Sequence, residues 1–287
     1  MINALTFDVE EYFHAEVFSE VVRPERWGGL ESRVVAATER ILDVLEGGPV
    51  TRATFFVLGW VAARHPDLVR MIHARGHEVA CHGHGHQMIT RQSVAQFAED
   101  VSRAKKTLED TIGAAVVGYR APTFSVVRET LWSLQVLVDL GFQYDSSIFP
   151  IVHDRYGIPS AARCPHRLAV ASGAEIVEFP LSTVAVLGWR VPVAGGGYFR
   201  LFPYGVTRWA IHRINKREGQ PAIVYLHPWE IDLVQPRLPV GRMARVRHSL
   251  NSGATLGRLR RLVRDFQFAP ARDVLAAAGI LTAGRVA

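Results

Sequence analysis

The feature that most constrains the fold is the alternation of short apolar segments with longer amphipathic ones. The apolar segments are rich in β-branched and aromatic residues, which is typical of buried strands, and we predict strands over 3–9, 53–58, 78–81, 115–119, 176–179 and 222–226. The amphipathic segments predict helices over 33–45, 61–75, 93–112 and 128–140. Strands that alternate with helices indicate α/β architecture with a parallel sheet, in a single domain. Residues 146–205 are rich in Gly and Pro, so we expect loops or a β insertion there.

Composition excludes several other classes of protein. The chain has 287 residues, of which 48% are hydrophobic and 21% charged, and this excludes collagen-like and disordered proteins. Cys81 and Cys164 are too few for a disulfide framework, and they form no CxxC pair for a thiolate zinc site. The sequence has no apolar run long enough for a transmembrane helix, and its N-terminus lacks the basic segment of a signal peptide. We therefore expect a cytoplasmic protein.

The positive charge is concentrated at the C-terminal end. Residues 236–287 contain ten Arg against Asp265 and Asp273, whereas residues 1–235 have a slight excess of acidic residues. A solvated amphipathic helix explains most of this pattern, and peripheral membrane attachment through the basic tail stays open. Nucleic acid is not an expected partner, because the tail has neither interleaved aromatic residues nor a recognisable binding module.

Two carboxylates lie where the first predicted strand ends. Active sites of parallel sheets and barrels lie at the carboxyl ends of the strands. Asp8 and Glu10 are two residues apart, so both project from the same face of the strand. Such a pair repels unless a cation lies between the carboxylates or one of them is protonated. The alternative is a solvated acidic turn.

Two histidines follow the third predicted strand. His82 and His86 are four residues apart, and Gly83 and Gly85 would let the backbone curl around an ion. Two histidines and one carboxylate leave open positions for water and substrate, as in hydrolytic zinc sites. A histidine-rich surface loop is the alternative interpretation.

Arg120 and His227 complete the group of polar residues at the strand ends. Arg120 lies before a stiffening proline and could hold a carboxylate such as Asp8 in its ionised form. His227 follows an apolar strand and could donate a proton to a leaving amine. An ordinary surface arginine and a core histidine are the alternatives. Together these residues predict metal-assisted hydrolysis of an amide or ester.

At this point the sequence resembles the polysaccharide (NodB-type) deacetylases, carbohydrate esterase family 4. Five strings carry the resemblance in the order and spacing of the family: 6–10 (TFDVE), 53–57 (ATFFV), 82–86 (HGHGH), 119–122 (YRAP) and 225–228 (YLHP). Four further strings are similar to the subfamily at exosortase/PEP-CTERM exopolysaccharide loci: 8–13 (DVEEYF), 144–150 (YDSSIFP), 195–200 (GGGYFR) and 227–232 (HPWEID). The resemblance implies a distorted (β/α)7-type barrel over residues 1–235, with a basic C-terminal extension over 236–287 that packs on or flanks the barrel.

The resemblance also implies roles for individual residues. Asp8 matches the catalytic base and Arg120 the arginine that orients it, while His227 matches the general acid and Asp145 the acidic residue that supports that histidine. His82 and His86 match the metal-binding histidines. A backbone N–H near Thr123 would support the oxyanion. Tyr198 and Trp229 suit sugar stacking, although core packing would explain them equally well.

The sequence departs from the family at one ligand position. The family has two adjacent aspartates, the second of which binds metal, whereas position 9 here is Val. Glu10 is the natural substitute because it shares a face with Asp8, and Glu11 is the alternative. Zinc is the expected metal, and cobalt or manganese would also suit this ligand set.

The predicted function is removal of N-acetyl groups from a glycan that contains N-acetylhexosamine, with release of acetate, in exopolysaccharide biosynthesis. Two alternatives stay open: a non-catalytic member that binds polysaccharide, and a metal-dependent amidohydrolase of a small cytosolic amide.

Overall fold

The chain folds around one large, mostly parallel sheet. The computed structural model describes residues 1–49, 51–193, 195–236, 238–241 and 248–281. The sheet order is β10-β1-β2-β3-β4-β5-β7-β6, and β11 pairs with the start of β1. Its strands are β1 (Asn3–Val9), β2 (Thr54–Val57), β3 (Glu78–Cys81), β4 (Gly118–Tyr119), β5 (Tyr144–Asp145), β6 (His166–Ala169), β7 (Glu175–Glu178), β10 (Ile223–Leu226) and β11 (Phe268–Ala269).

The sheet confirms the predicted fold class. Among the described residues, the seven neighbouring strands from β10 to β7 run parallel, and β6 is an antiparallel edge strand. The sheet curls into a half-barrel, as the distorted barrel of the prediction requires. A separate hairpin of β8 (Thr183–Val186) and β9 (Trp189–Pro192) lies in the predicted β insertion.

Helices connect most of the strands. They are α1 (Val34–Glu46), α2 (Gly59–Arg64), α3 (Pro66–Ala74), α4 (Val94–Ile112), α5 (Ser133–Asp139), α6 (Gly196–Leu201), α7 (Tyr204–Arg217), α8 (Ser252–Asp265) and α9 (Ala271–Ala277). The prediction of a single helix over 61–75 is wrong in one respect. It is two helices, because Pro66 has no N–H for an intrahelical hydrogen bond and begins a new helix instead.

Both faces of the sheet are buried, and this determines where the polar side chains of β1 point. Leu5, Phe7 and Val9 lie in the core cluster that packs against the helices. Ala4 belongs to a second cluster on the other face, together with residues such as Phe56. Because side chains alternate along a strand, Thr6 and Asp8 share the second face with Ala4. Asp8 is therefore buried at the carboxyl end of β1 on the inner side of the curled sheet.

The described part of the C-terminal extension packs onto the barrel. β11 pairs with β1, and the helix after it, α9, buries Val274 and Leu275 in the inner core cluster. Helix α8 buries Leu259 and Leu262 in the outer cluster. Half of the arginines of the extension lie outside the described residues: Arg237, Arg242, Arg245, Arg247 and Arg285. The boundary at residue 235 stays a prediction.

Within the described ranges, no helix combines the length and the apolar character needed to cross a bilayer.

Candidate active site

Asp8 and Arg120 form a buried ion pair at the carboxyl ends of β1 and β4. Arg120 Nη1 donates to Asp8 Oδ1 at 2.7 Å and to Thr6 Oγ1 at 2.8 Å. On its other side the guanidinium donates from Nε to the Ser146 carbonyl and from Nη2 to the Ser146 hydroxyl. The cation also lies 4.1 Å from the centre of the Phe56 ring. These contacts hold Arg120 rigidly, and the charge-assisted bond fixes the orientation of the Asp8 carboxyl group.

Glu10, His82 and His86 converge beside this pair. One potential ligand atom from each lies within 4.8 Å of the others. Glu10 Oε2 is 2.6 Å from His86 Nε2 and 4.0 Å from His82 Nε2. His86 reaches this position from a left-handed backbone conformation, with a φ of 48°. The structure thus brings together the three residues predicted as metal ligands.

Glu11, the alternative third ligand, points elsewhere. Its carboxylate accepts hydrogen bonds from the Ser32 hydroxyl and from the Arg33 backbone N–H, which lies just before α1. This follows from strand geometry, because neighbouring side chains on an extended segment point to opposite sides. Glu10 is therefore the carboxylate available for a metal.

The surroundings of these three residues fit a divalent metal. Glu10 Oε2 is buried and faces the Nε2 atoms of His86 and His82, and a cation would compensate the burial of these three ligand atoms. His82 Nδ1 donates to the Arg120 carbonyl at 2.8 Å, which directs its Nε2 toward Glu10. Burial lowers the pKa of His82 to about 4, and the neighbouring His86 adds to this effect. Burial alone would raise the pKa of Glu10, but His86, His227 and His82 together lower it. Neutral histidines and an ionised carboxylate are the forms that bind metal.

His227 directly follows β10 and faces the carboxylates of Asp8 and Glu10. Its Nε2 is 3.8 Å from both Asp8 Oδ2 and Glu10 Oε1. Its Nδ1 donates to Glu230 Oε1 at 2.7 Å. Burial opposes protonation, but the hydrogen bond to Glu230 and the charges of Glu10 and Asp8 raise the pKa of His227 to about 9. His227 is therefore a cation at neutral pH, with a proton available on Nε2.

Asp145, expected to support His227, does not contact it. Asp145 lies in β5, five strands along the sheet from β10, which carries His227. Its carboxyl group accepts from the Ser147 hydroxyl and hydrogen-bonds with Glu178 on β7. The supporting role falls instead to Glu230, three residues after His227 in the same 3₁₀ turn. The expectation for Asp145 is corrected on this point.

Glu230 is held in turn by Arg200 of α6. Arg200 Nε lies 3.5 Å from Glu230 Oε2, and both side chains are buried. Arg200 Nη1 also donates to the carbonyls of His248 and Leu250. The segment before α8 therefore fixes the arginine that faces the partner of His227. Sequence analysis missed this arrangement, because Arg200 and Glu230 are 30 positions apart and only the fold brings them together.

The three residues expected to bind substrate, Trp229, Thr123 and Tyr198, have different surroundings in the structure. Trp229 is buried, and its ring lies between His227 and His248 at centroid distances of 4.9 and 4.4 Å. Its Nε1 donates to Glu10 Oε1 at 3.0 Å, so Trp229 positions a predicted metal ligand. Thr123 has a left-handed backbone, with a φ of 55°, and it lines a cavity of about 290 Å³ together with Trp229. Tyr198 hydrogen-bonds with Tyr156, another residue that lines this cavity.

His14 is a buried neighbour of the predicted metal ligands. Its ring stacks on His86 at 6.1 Å between centroids, and its Nδ1 accepts from the Glu11 N–H. Burial lowers the pKa of His14 well below its usual value, and the neighbouring His86 adds to this. The His14 ring is therefore neutral where it packs against His86. No spacing pattern in the sequence would have identified it.

Taken together, the fold and the site define an α/β protein with a base, an acid and a potential metal site at the carboxyl ends of its strands. Residues 4–144 match the polysaccharide deacetylase family, and residues 146–276 match a domain of unknown function. The match to residues 4–144 confirms the resemblance to the polysaccharide deacetylases noted in the sequence.

Similar proteins support this assignment over part of the chain. A chitooligosaccharide deacetylase from Bradyrhizobium sp. (strain ANU 289) is 37% identical over 86 residues, which cover 30% of this chain and 39% of that protein. The peptidoglycan-N-acetylglucosamine deacetylase PgdA from Listeria monocytogenes is 31% identical over 94 residues, covering 33% of this chain and 20% of PgdA. The chain thus spans less than half the length of these relatives.

Two solved structures share the fold across almost the whole chain. A protein from Mycobacterium smegmatis that is assigned to the polysaccharide deacetylases superposes with a TM-score of 0.64 at 23% identity, covering 98% of this chain and 91% of that one. PuuE allantoinase superposes with a TM-score of 0.62 at 15% identity, covering 98% and 92%. At these identities the likeness shows the fold alone.

Proposed function

We propose that this chain is a metal-dependent N-deacetylase that hydrolyses the acetamido groups of a glycan containing N-acetylhexosamine, as a step in exopolysaccharide biosynthesis. One observation carries the proposal. A carboxylate paired with arginine (Asp8) and a cationic histidine (His227) lie 3.8 Å apart beside two histidines and a carboxylate that fit a metal. Amide hydrolysis needs these three groups: a base for water, an acid for the amine and an electrophile for the carbonyl. The named activities of the chitooligosaccharide and peptidoglycan deacetylases support the substrate class.

Glu10, His82 and His86 would hold the metal, and zinc suits two imidazoles and one carboxylate. When bound, a divalent metal polarises a carbonyl and makes water more acidic. Trp229 fixes one oxygen of Glu10, and the Arg120 carbonyl fixes the ring of His82. The chain thus holds its ligands in place through neighbouring residues.

Asp8 acts as the base. Arg120 binds Asp8 Oδ1, so Oδ2 is the oxygen left to accept a proton from the attacking water. The hydroxide equivalent adds to the acetamide carbon while Asp8 takes the proton. A backbone N–H near Thr123 would stabilise the oxyanion that develops on the carbonyl oxygen.

His227 acts as the acid. The C–N bond breaks when the sugar nitrogen receives the Nε2 proton of His227, and acetate leaves with the new oxygen. Glu230 holds Nδ1, which fixes the direction of Nε2 and stabilises the cationic form before the transfer. The proton on Asp8 then returns His227 to its starting state over the 3.8 Å that separates the two side chains.

The direct test is acetate release by metal-loaded protein from N-acetylglucosamine oligomers and acetylated exopolysaccharide. Allantoin is the small-amide control, and its hydrolysis is followed separately as formation of allantoate. We expect metal-dependent release from glycans by the wild type and a loss of at least about a hundredfold in Asp8→Asn and in His86→Ala. Turnover of the small amide without glycan turnover would favour the amidohydrolase alternative. Glycan binding without any release would favour the non-catalytic one.

A further inference from the structure

The β8–β9 hairpin presents apolar side chains to solvent at its tip. Leu187 is 95% exposed and Trp189 is 76% exposed. The two strands are joined by Leu187 and Gly188, whose φ values of 48° and 83° make a tight two-residue turn. Such turns favour Asn, Asp or Gly, because positive φ is costly for a branched apolar residue. A leucine is therefore placed at the most exposed point of the hairpin against local preference.

A third apolar side chain adjoins the hairpin from α7. Arg213 connects the two elements, because its Nη2 donates to the Ala185 carbonyl on β8 and its guanidinium lies 5.8 Å from the Trp209 ring. Trp209 is 48% exposed. We call Leu187, Trp189 and Trp209 the hairpin patch. The base of the hairpin is anchored, since Val184 is fully buried and Val193 N donates to the Ser182 carbonyl.

The charge around the hairpin patch is mostly positive, and Glu218, just after α7, is paired with Arg163. Residues 183–217 contain six Lys or Arg and no Asp or Glu. Arg200 is buried against Glu230, and Arg208 lies near Asp265. The remaining cations include Arg213 and Lys216, which follow Trp209 at helical spacing (i+4 and i+7) and so share its face of α7. Lys216 and the next residue, Arg217, are exposed at the C-terminal end of α7.

We propose that the hairpin patch and the cations of α7 dock this protein onto an anionic membrane surface. Exposed Trp and Leu residues beside Lys and Arg are the combination that inserts into the interfacial layer of a bilayer while the cations contact lipid phosphates. A second copy of the chain is disfavoured as the occupant, because a two-fold contact would bring the same positive surface against itself. The proposal moves membrane attachment from the basic tail to a site in the described part of the structure.

Sedimentation with vesicles tests the proposal on the full chain. We expect binding to vesicles of equal parts phosphatidylcholine and phosphatidylglycerol, weaker binding as salt rises, and little binding to phosphatidylcholine alone. The double variant Leu187→Ser/Trp189→Ser should lower the partition coefficient about tenfold, because it removes the inserting apolar area. The double variant Lys216→Gln/Arg217→Gln should bind less to the mixed vesicles, and its binding to phosphatidylcholine alone should not change. Val94→Ser, which changes an exposed apolar residue at the start of α4, is the matched control and should bind like the wild type.

Three results would overturn the proposal. The first is no sedimentation of the wild type with the mixed vesicles, and the second is equal binding by the Leu187→Ser/Trp189→Ser variant. The third is that the same variant no longer dimerises, as measured by light scattering, or is no longer retained on acetylated glycan. The patch would then bind a second copy of the chain in the first case and a polysaccharide in the second. Acetate release from soluble oligomers should be the same in this variant as in the wild type, so the membrane proposal and the proposed function fail separately.

Discussion

Asp8, His82 and Arg120 come from the carboxyl ends of β1, β3 and β4, whereas His227, Trp229 and Glu230 come from one short segment after β10. The first group, with Glu10 and His86, forms a base-and-metal side that lies within the residues that match the polysaccharide deacetylase family. The second group forms an acid side within the region of unknown function. The two sides meet at His227 Nε2, which is 3.8 Å from both Asp8 and Glu10.

The two sides are held in place by different means. On the base side, Arg120 is fixed by two hydrogen bonds to Ser146, which directly follows the neighbouring strand β5. On the acid side, Glu230 faces Arg200 of α6, and Arg200 depends on carbonyls of the segment before α8. Residues from the basic extension therefore help to position the general acid. The extension is part of the site's framework, although it carries none of the predicted reacting groups.

The largest effect is expected on the base side. Asp8→Asn removes the proton acceptor and should lower kcat by about 10²- to 10⁴-fold, the usual contribution of a general base. Zinc affinity, measured by calorimetry, should change little, because Glu10, His82 and His86 are intact. A folded, metal-loaded variant that turns over at the wild-type rate would remove Asp8 from its role.

A smaller effect is expected on the acid side. Glu230→Gln keeps an oxygen near His227 Nδ1 but removes the charge that stabilises the cation. We expect kcat to fall roughly tenfold to a hundredfold, less than for the base itself, because the histidine still carries a proton at lower pH. Steady-state kinetics should show the loss in kcat, with KM nearly unchanged. A pure KM effect would mean that Glu230 contacts substrate.

Trp229 links the two sides, and its N–H can be removed without its ring. Trp229→Phe deletes the donor to Glu10 Oε1 and should weaken zinc binding about tenfold, as is typical when the neighbour that orients a ligand is lost. Calorimetry on apo protein measures this without reference to activity. Trp189→Phe, on the exposed hairpin, is the control and should bind zinc like the wild type. Equal affinities in both variants would show that Trp229 does not orient the ligand.

The smallest effect on catalysis is expected at Asp145. Burial raises the pKa of this carboxyl to about 6, so the stability that it contributes is present at low pH and is lost as pH rises through that value. Asp145→Asn cannot ionise, so its Tm relative to the wild type should rise between about pH 4 and pH 6 and stay level at higher pH. Its kcat should stay near the wild-type value, because Asp145 does not contact His227. A large loss of kcat would restore Asp145 to the catalytic group.

The sequence predicts the base side well, because each of its residues follows a strand and parallel strands end at one edge of the sheet. Asp8, Glu10, His82, His86 and Arg120 meet there as expected. The role of Asp145 comes from the family resemblance, and it is wrong because β5, which carries Asp145, lies five strands along the sheet from β10. Glu230 carried a local signal, since a carboxylate three residues after a histidine can reach it in a 3₁₀ turn. Arg200 and His14 carried none, because their contacts depend on packing between distant segments.

The alkaline limb of the pH dependence of kcat tests the central claim, that His227 and Glu230 form the acid of the site. His227 is protonated below its raised pKa of about 9, so activity should be lost as pH rises toward that value. Metal at Glu10 would withdraw part of the negative charge that raises this pKa, which places the limb at or below pH 9. In Glu230→Gln the limb should move to lower pH, while in Asp145→Asn it should not move. Identical limbs in the wild type and Glu230→Gln, or a shift in Asp145→Asn alone, would contradict the account.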